Sequence, residues 1–265
     1  MKIGFIGLGN MATASIGGIL KKEMVQSKNI IGFDALPSAI EKAKSGFNIT
    51  GAIDNKQVAR EADVLFLAVK PIFLEDVLTE IKDVISADTI IISIVAGKSI
   101  AFIEEKLQRN DCKIVRCMPN TPALVLEGCT GVCAGKNVKE DEMDTALSLL
   151  RCFGKAIVVP ERLMDVVVGV CGSAPAYVFL FIEAMADEAV AEGMPRAQAY
   201  EFAAQTVLGS AKMVLETGKH PGELKDMVCS PGGTTIQAVK VLEEKGLRAA
   251  VMDAMEACID KSRQL

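Results

Sequence analysis

The stretch Lys2-Ile-Gly-Phe-Ile-Gly-Leu-Gly-Asn-Met-Ala12 decides the fold of the first part of the chain. Its apolar start has the length of a buried strand, and it breaks at once into Gly7-Leu-Gly-Asn-Met-Ala12 before a helical pattern from Ala12 to about Glu23. Gly7 permits the tight strand-to-helix turn, Gly9 lets the backbone approach a pyrophosphate, and Ala12 is small enough for the helix to pack on the strand. The helix N-terminus then offers unpaired amides to the diphosphate charge. A second apolar run, Asn29-Ile-Ile-Gly-Phe33, ends in Asp34, 22 positions after Ala12, where an acidic residue is expected to meet ribose hydroxyls. Together these features predict a dinucleotide-binding unit. The plainer alternative is a βαβ unit whose glycines serve packing alone, with Asp34 as a solvated turn residue.

Bulk composition narrows the class. A length of 265 residues suggests two domains. Half the residues are hydrophobic, 5% are aromatic and there is no Trp, which suits helices and buried parallel strands in a soluble α/β protein. With 29 Lys and Arg against 34 Asp and Glu, a net charge of -5 and no basic block, a nucleic-acid partner is not expected. The chain opens on a strand and shows no charged n-region with an apolar h-region and cleavage site, so a cytoplasmic location is expected. Without a secretory signal the eight cysteines are expected to be reduced, buried thiols. No C-x-x-C occurs and His220 is the single histidine, so no metal is expected. Val166 to Ile182 carries no charge and is almost long enough to enter a bilayer. It is interrupted by Gly169 and Gly172-Ser-Ala-Pro175 and runs on into Glu183, Asp187 and Glu188, so it reads as a helix buried between domains or subunits, not as a membrane span.

Helix and strand patterns alternate up to Pro160. Helices are expected at about Pro37–Ser45, Ile72–Ile85, Ile100–Leu107 and Asp141–Phe153. Strands are expected near Ile49, at Asp63–Val69, Thr89–Val95, Lys113–Arg116, Cys129–Cys133 and Ala156–Val159, with a polar turn at Met118-Pro-Asn-Thr-Pro122. From residue 161 onward the strand pattern disappears and apolar residues recur at helical spacing. The expected class is therefore α/β: an N-terminal Rossmann-type doubly wound sheet over residues 1–160, then an all-α domain over 161–265. The helices of the second part are apolar on more than one face, more than about 105 residues can bury alone, so homodimerisation through them is expected.

A nucleotide-binding domain does not name a substrate. The informative stretch for that is Ser230-Pro-Gly-Gly-Thr-Thr235, which breaks helical sequence just before helix resumes at Ile236. Free amides of Gly233, Thr234 and Thr235 at that helix start would bind an anion such as a carboxylate; a plain helix-helix turn with Thr234 or Thr235 as N-cap is the other reading. Dehydrogenating an alcohol usually needs a base such as His or Lys, and only His220 is present, beside Pro221. Reducing a C=N bond is less demanding, because an imine can enter already protonated. A pocket that binds a carboxylate and presents a hydroxyl donor could suffice.

Five segments carry a resemblance to a known family: Gly4-Phe-Ile-Gly-Leu-Gly-Asn-Met-Ala12, Ala68-Val-Lys-Pro71, Arg116-Cys-Met-Pro-Asn-Thr-Pro122, Gly172-Ser-Ala-Pro-Ala-Tyr177 and Lys225-Asp-Met-Val-Cys-Ser-Pro-Gly-Gly-Thr-Thr235. All resemble the matching segments of pyrroline-5-carboxylate reductases, and the resemblance runs over essentially the whole chain. It implies reduction of L-1-pyrroline-5-carboxylate to L-proline with NADPH or NADH, the last step of proline synthesis. By motif, Ile6, Gly7, Leu8, Gly9, Asn10 and Met11 would hold the pyrophosphate. Asn55, Ala68, Val69, Lys70 and Pro71 would line the rest of the cofactor, and Ile94, Val95, Ala96 and Gly97 would border the nicotinamide. Ser230, Gly233, Thr234 and Thr235 would form the substrate pocket, with the Thr235 hydroxyl near the ring nitrogen as the proton donor. The resemblance also implies interlocked dimers through the helical domain and, often, decamers. Two positions depart from the pattern: Gly218-Lys219 precede His220 where some members carry a Glu, and Met227 stands where an Asn often follows Lys-Asp.

Lys70 reads either as a solvated residue at a strand end or as a contact to a cofactor ribose or phosphate. Asp34 can bind both ribose hydroxyls of NADH but would repel a 2′-phosphate, so NADH is expected to serve at least as well as NADPH. A β-hydroxyacid dehydrogenase would need a catalytic Lys on the helix after Gly172-Ser-Ala-Pro175, and no Lys occurs there until Lys212. A non-catalytic nicotinamide sensor would bind cofactor without turnover.

Overall fold

The computed structural model describes residues 1–264, and its secondary structure follows the alternation. Eight strands form one sheet: β1 (Ile3–Ile6), β2 (Ile30–Phe33), β3 (Thr50–Gly51), β4 (Val64–Leu67), β5 (Ile90–Ser93), β6 (Lys113–Met118), β7 (Gly128–Ala134) and β8 (Gly154–Val158). Their order is β3-β2-β1-β4-β5-β6-β7-β8. Every pairing is parallel except β6 with β7, which is antiparallel. That exception arises because β6 and β7 are joined by a single short 3-10 turn, Thr121–Val125, too short for a crossover helix. The segment read as a plain polar turn is therefore partly helical.

Both faces of the sheet are covered, as continuous apolar strands require. Ile3, Phe5, Val64, Phe66, Ile90 and Ile92 point to one face, where α1 (Asn10–Lys21), α2 (Pro37–Phe47) and α6 (Glu140–Leu150) pack. Ile6, Leu65, Leu67 and Ile91 point to the other, beneath α3 (Asn55–Glu61), α4 (Leu74–Ile81) and α5 (Ile100–Leu107). Phe5 and Phe66 stack across β1 and β4 at 4.6 Å. Each fully buried side chain of this size contributes about 1.5–3 kcal/mol through burial.

α3 was not expected from periodicity, because seven residues with two apolar positions show no clear period. Its signal was Asp54: the carboxylate accepts from the Gln57 amide at 2.6 Å, and the Gln57 side chain accepts from the Ile53 amide at 3.0 Å, a variant of the capping box. The expected break at Gly169 and Gly172-Ser-Ala-Pro175 is also absent. Helical turns continue from α7 (Met164–Val167) through a π turn at Val168–Gly172 into α8 (Ala174–Ala191). The π turn absorbs the glycines, and Pro175 falls in the first turn of α8, where its missing N–H costs nothing.

The chain divides into two compact units, residues 1–173 with 258–265, and residues 174–257. The division at Ser173 lies beyond the boundary expected after Pro160, and Glu161 shows why. Its Oε1 accepts from the Ile100 amide at 2.8 Å and from the buried Arg116 guanidinium at 3.1 Å, so the segment after β8 is tied into the first unit. Removing that oxygen strands a charge and a helix N-terminal amide. Glu161→Ala is therefore expected to cost about 2–3 kcal/mol, and Glu161→Gln clearly less, read as shifts of the urea midpoint of the first unit. The end of the last helix, α12 (Leu247–Ser262), belongs to this unit too, through the Ser262 hydroxyl donating to Asp165 at 2.7 Å.

The second unit holds all of α8, then α9 (Arg196–Thr217), α10 (Pro221–Val228), α11 (Thr234–Glu244) and the greater part of α12. α8 packs on α9. Among its described residues the buried apolar side chains are only Ala186, Ala199 and Ala203, whereas Phe179, Leu180, Phe202, Leu215 and Met252 are all more than 60% exposed. Within one chain α8 is largely exposed, so the burial expected for it between domains or subunits is not supplied by its own chain.

Candidate active site

The order β3-β2-β1-β4 places the point where the chain reverses its winding between β1 and β4, and ligands of such sheets bind there, outside the carboxyl ends of the strands. Backbone bonds continue the ladder past these ends: Gly7 N–H to the Phe33 carbonyl at 2.8 Å, Ala68 N–H to Ile6 at 2.8 Å, Ile94 N–H to Leu67 at 3.1 Å. Ile6 to Met11, Asp34, Ala68 to Pro71 and Ile94 to Ala96 are therefore gathered on one edge of the first unit.

The turn after β1 is built as the sequence requires. Gly7 has φ +92°, and a Cβ there would lie 2.6 Å from the Ala68 carbonyl oxygen. Gly9 is the N-cap of α1 and is exposed, and a Cβ there would meet no protein atom within 4 Å, so the turn leaves open space at the helix start. The first turn of α1 holds no acidic residue. The Thr13 amide donates to the Gly9 carbonyl at 2.9 Å, so the amides of Asn10 and Met11 precede the ladder and could serve a bound anion. This cradle fits a dinucleotide pyrophosphate. Asp34 locks the turn: Oδ2 accepts from the Leu8 amide at 2.8 Å and Oδ1 from the Leu36 amide at 2.9 Å.

Other positions are held less directly. Asn55 begins α3, and its amide donates to Glu80 Oε2 at 2.7 Å, so its nitrogen is committed within the protein and its oxygen remains. Lys70 is exposed before a 3-10 turn at Pro71–Phe73. Asn120 is a residue whose role the spacing did not reveal. It accepts from the Cys129 amide at 2.9 Å and donates to the Cys171 carbonyl at 3.2 Å, tying the end of β6 to β7 and to the π turn. Its sequence signal was a polar residue between two prolines, Pro119 and Pro122.

Cys133 and Cys171 are poor candidates for nucleophiles. All eight cysteines are free thiols. Burial raises the Cys133 thiol to about 11, and burial together with the neighbouring Cys129 raises Cys171 to about 12, which leaves almost no thiolate at neutral pH.

In the second unit the Ser230–Thr235 segment forms the start of α11. Gly232 takes φ +68°, the Gly233 amide donates back to the Ser230 carbonyl at 3.0 Å, and Gly233 is itself the N-cap. Neither Thr234 nor Thr235 is the cap, and no side chain caps the helix. The amides at the start of an 11-residue helix thus have no side-chain acceptor, and its first turn carries no acid. Thr235 stands half-buried at the second helical position. Ser230, Gly233, Thr234 and Thr235 are brought together in one turn at an uncapped helix start, a geometry that could hold an anion. His220 is taken up otherwise: its Nδ1 accepts from the Gly222 amide at 3.1 Å and caps α10, which removes it as a base.

Comparison with known proteins identifies the family. Residues 161–265 match the family described as pyrroline-5-carboxylate reductase dimerisation, and residues 2–97 match the family described as NADP oxidoreductase coenzyme F420-dependent. The chain is 52% identical to the pyrroline-5-carboxylate reductase of Escherichia coli (strain K12) over 264 residues, covering 100% of this chain and 98% of the relative. Among solved structures, a pyrroline-5-carboxylate reductase from Coxiella burnetii superposes with a TM-score of 0.91 at 36% identity, covering 99% of this chain and 97% of that one. The Plasmodium falciparum pyrroline carboxylate reductase with NADP bound also reaches 0.91, at 33% identity, with 100% and 97% covered.

Proposed function

The chain belongs to the pyrroline-5-carboxylate reductase family and reduces L-1-pyrroline-5-carboxylate to L-proline with NADH or NADPH, and we propose that the two glycine turns divide the work. The observation that carries this division is that each turn ends in a helix N-terminus left without an acidic or side-chain cap. When bound, the reduced nicotinamide supplies the hydride. Ile6 to Met11 hold the pyrophosphate on the amides of α1, Asp34 meets the adenosine ribose, and Asn55 with Ala68 to Pro71 lines the remainder. Ile94 to Ala96 border the nicotinamide.

The amides at the start of α11 hold the substrate carboxylate, with Ser230, Gly233 and Thr234 shaping the turn around it. The C=N bond becomes an amine when its carbon gains a hydride and its nitrogen gains a proton. The Thr235 hydroxyl donates that proton to the ring nitrogen and is restored from solvent. Because an imine is reduced and no alcohol is oxidised, the chemistry runs without a histidine or lysine base.

The second unit buries too little within one chain to stand alone. Phe179, Leu180, Phe202 and Leu215 therefore pack against a second copy, giving a homodimer through the helices, with a decamer as the higher assembly and the cytoplasm as its location. On this reading the long apolar helix from Glu161 to Ala191 serves subunit contact and not a bilayer.

The test is oxidation of NADH and of NADPH by the purified protein with pyrroline-5-carboxylate, with proline identified as the product. Proline formed at an enzymatic rate is the expected result. Cofactor binding without turnover would refute the substrate assignment and favour a nicotinamide sensor.

A further inference from the structure

We propose that Asp34 makes this chain an NADH-preferring enzyme, because it holds a fixed negative charge where the 2′-phosphate of NADPH would have to sit. The inference rests on the placement of the adenosine ribose against Asp34 described above. The carboxylate is half-buried at the carboxyl end of β2 and is held on both oxygens, Oδ2 by the Leu8 amide at 2.8 Å and Oδ1 by the Leu36 amide at 2.9 Å. Each oxygen keeps a further lone pair, so the pair can still accept from the two ribose hydroxyls of NADH.

A 2′-phosphate meets the opposite situation. It brings like charge against a carboxylate that cannot turn away, since rotation would leave the amides of Leu8 and Leu36 without acceptors. Nor does the loop offer compensation. Between Lys28 and Lys42 the sequence contains no Lys or Arg, and Lys44 is paired with Glu41 at 2.8 Å. What the loop presents instead is aliphatic: Leu36, whose amide donates to Asp34, is 65% exposed, a surface suited to an adenine ring and not to a phosphate.

The test is direct binding of NADH and NADPH to the intact protein without substrate, followed by nicotinamide fluorescence at low and high salt. In about 20 mM salt NADPH is expected to bind about tenfold or more weakly than NADH, with the gap narrowing as salt screens the repulsion. Asp34→Ser, which removes the charge and keeps a hydroxyl, is expected to close the gap to within about threefold or to reverse it. Equal or tighter binding of NADPH by the natural protein would overturn the proposal, and would point to Lys56 or Lys70 neutralising the phosphate. An Asp34→Ser variant that loses both nucleotides equally would also overturn it, leaving Asp34 as a loop clamp alone. Because the readout is binding, failure of pyrroline-5-carboxylate reduction would leave this result standing, and the reverse holds too.

Discussion

Thr235→Ala is expected to lower kcat with pyrroline-5-carboxylate by about one to three orders of magnitude, the range for losing one positioned donor, while the cofactor Kd stays unchanged. The geometry makes this a clean test. Gly233 is the N-cap of α11 and no side chain caps the helix, so the Thr235 hydroxyl is not needed to start it. Thr235 is only half-buried in the first turn of α11, and the fold should tolerate the change. A drop in kcat therefore reports the hydroxyl. Thr235→Ser keeps the donor and should recover most of the activity; a merely structural role for the threonine methyl would give the opposite ranking of Ser and Ala. Unchanged turnover in Thr235→Ala would assign the proton to water and leave Thr235 as part of the pocket wall.

The two halves of the chain were unequally legible in sequence, for physical reasons. In the first unit the central strands β1, β4 and β5 are buried along their whole length, so each reads as an unbroken apolar run, and the sequence places α5 at its observed bounds, Ile100–Leu107. Where the element was short and its determinants polar, the pattern failed: α3 is started by one carboxylate, Asp54, and periodicity is blind to it. The strand β7 is legible at Cys129–Cys133 but its antiparallel direction is not, since direction depends on the length of the connection and not on the strand's own residues. In the second unit the helices were evident but their burial was not. Phe179 and Leu180 look like core by composition and are exposed within one chain, and composition does not say whether an apolar residue is covered by its own chain or by another. The site divides similarly. Glycines and Asp34 announce themselves by spacing, whereas Asn120 works through a bond to Cys171, 51 positions away, which spacing cannot reveal.

Gly7→Ala and Gly9→Ala, two positions apart in the same turn, are expected to fail in different ways. At Gly7 the backbone has φ +92°, and a Cβ would lie 2.6 Å from the carbonyl oxygen and 2.8 Å from the carbonyl carbon of Ala68. Both are main-chain atoms, and Ala68 is itself pinned by its amide donating to Ile6 at 2.8 Å, so neither partner can give way cheaply. Conformational strain of about 1–2 kcal/mol adds to that clash. The turn must shift, pulling the Leu8 amide from Asp34 and the first amides of α1 from the pyrophosphate. Gly7→Ala should thus lose several kcal/mol of stability without ligand and weaken nucleotide binding by about 100-fold or more. Gly9→Ala meets no protein atom within 4 Å, so the unliganded protein should lose less than about 1 kcal/mol, the range for an N-cap change. Under the proposed cofactor placement its methyl would take the space that the pyrophosphate needs, and nucleotide binding should fall comparably to Gly7→Ala. Chemical denaturation without ligand and nucleotide titration separate the two effects. If Gly9→Ala bound NADH as tightly as the natural protein, the open space above this turn would not be the phosphate cradle, and the assignment of residues 6–11 to the cofactor would fall with it.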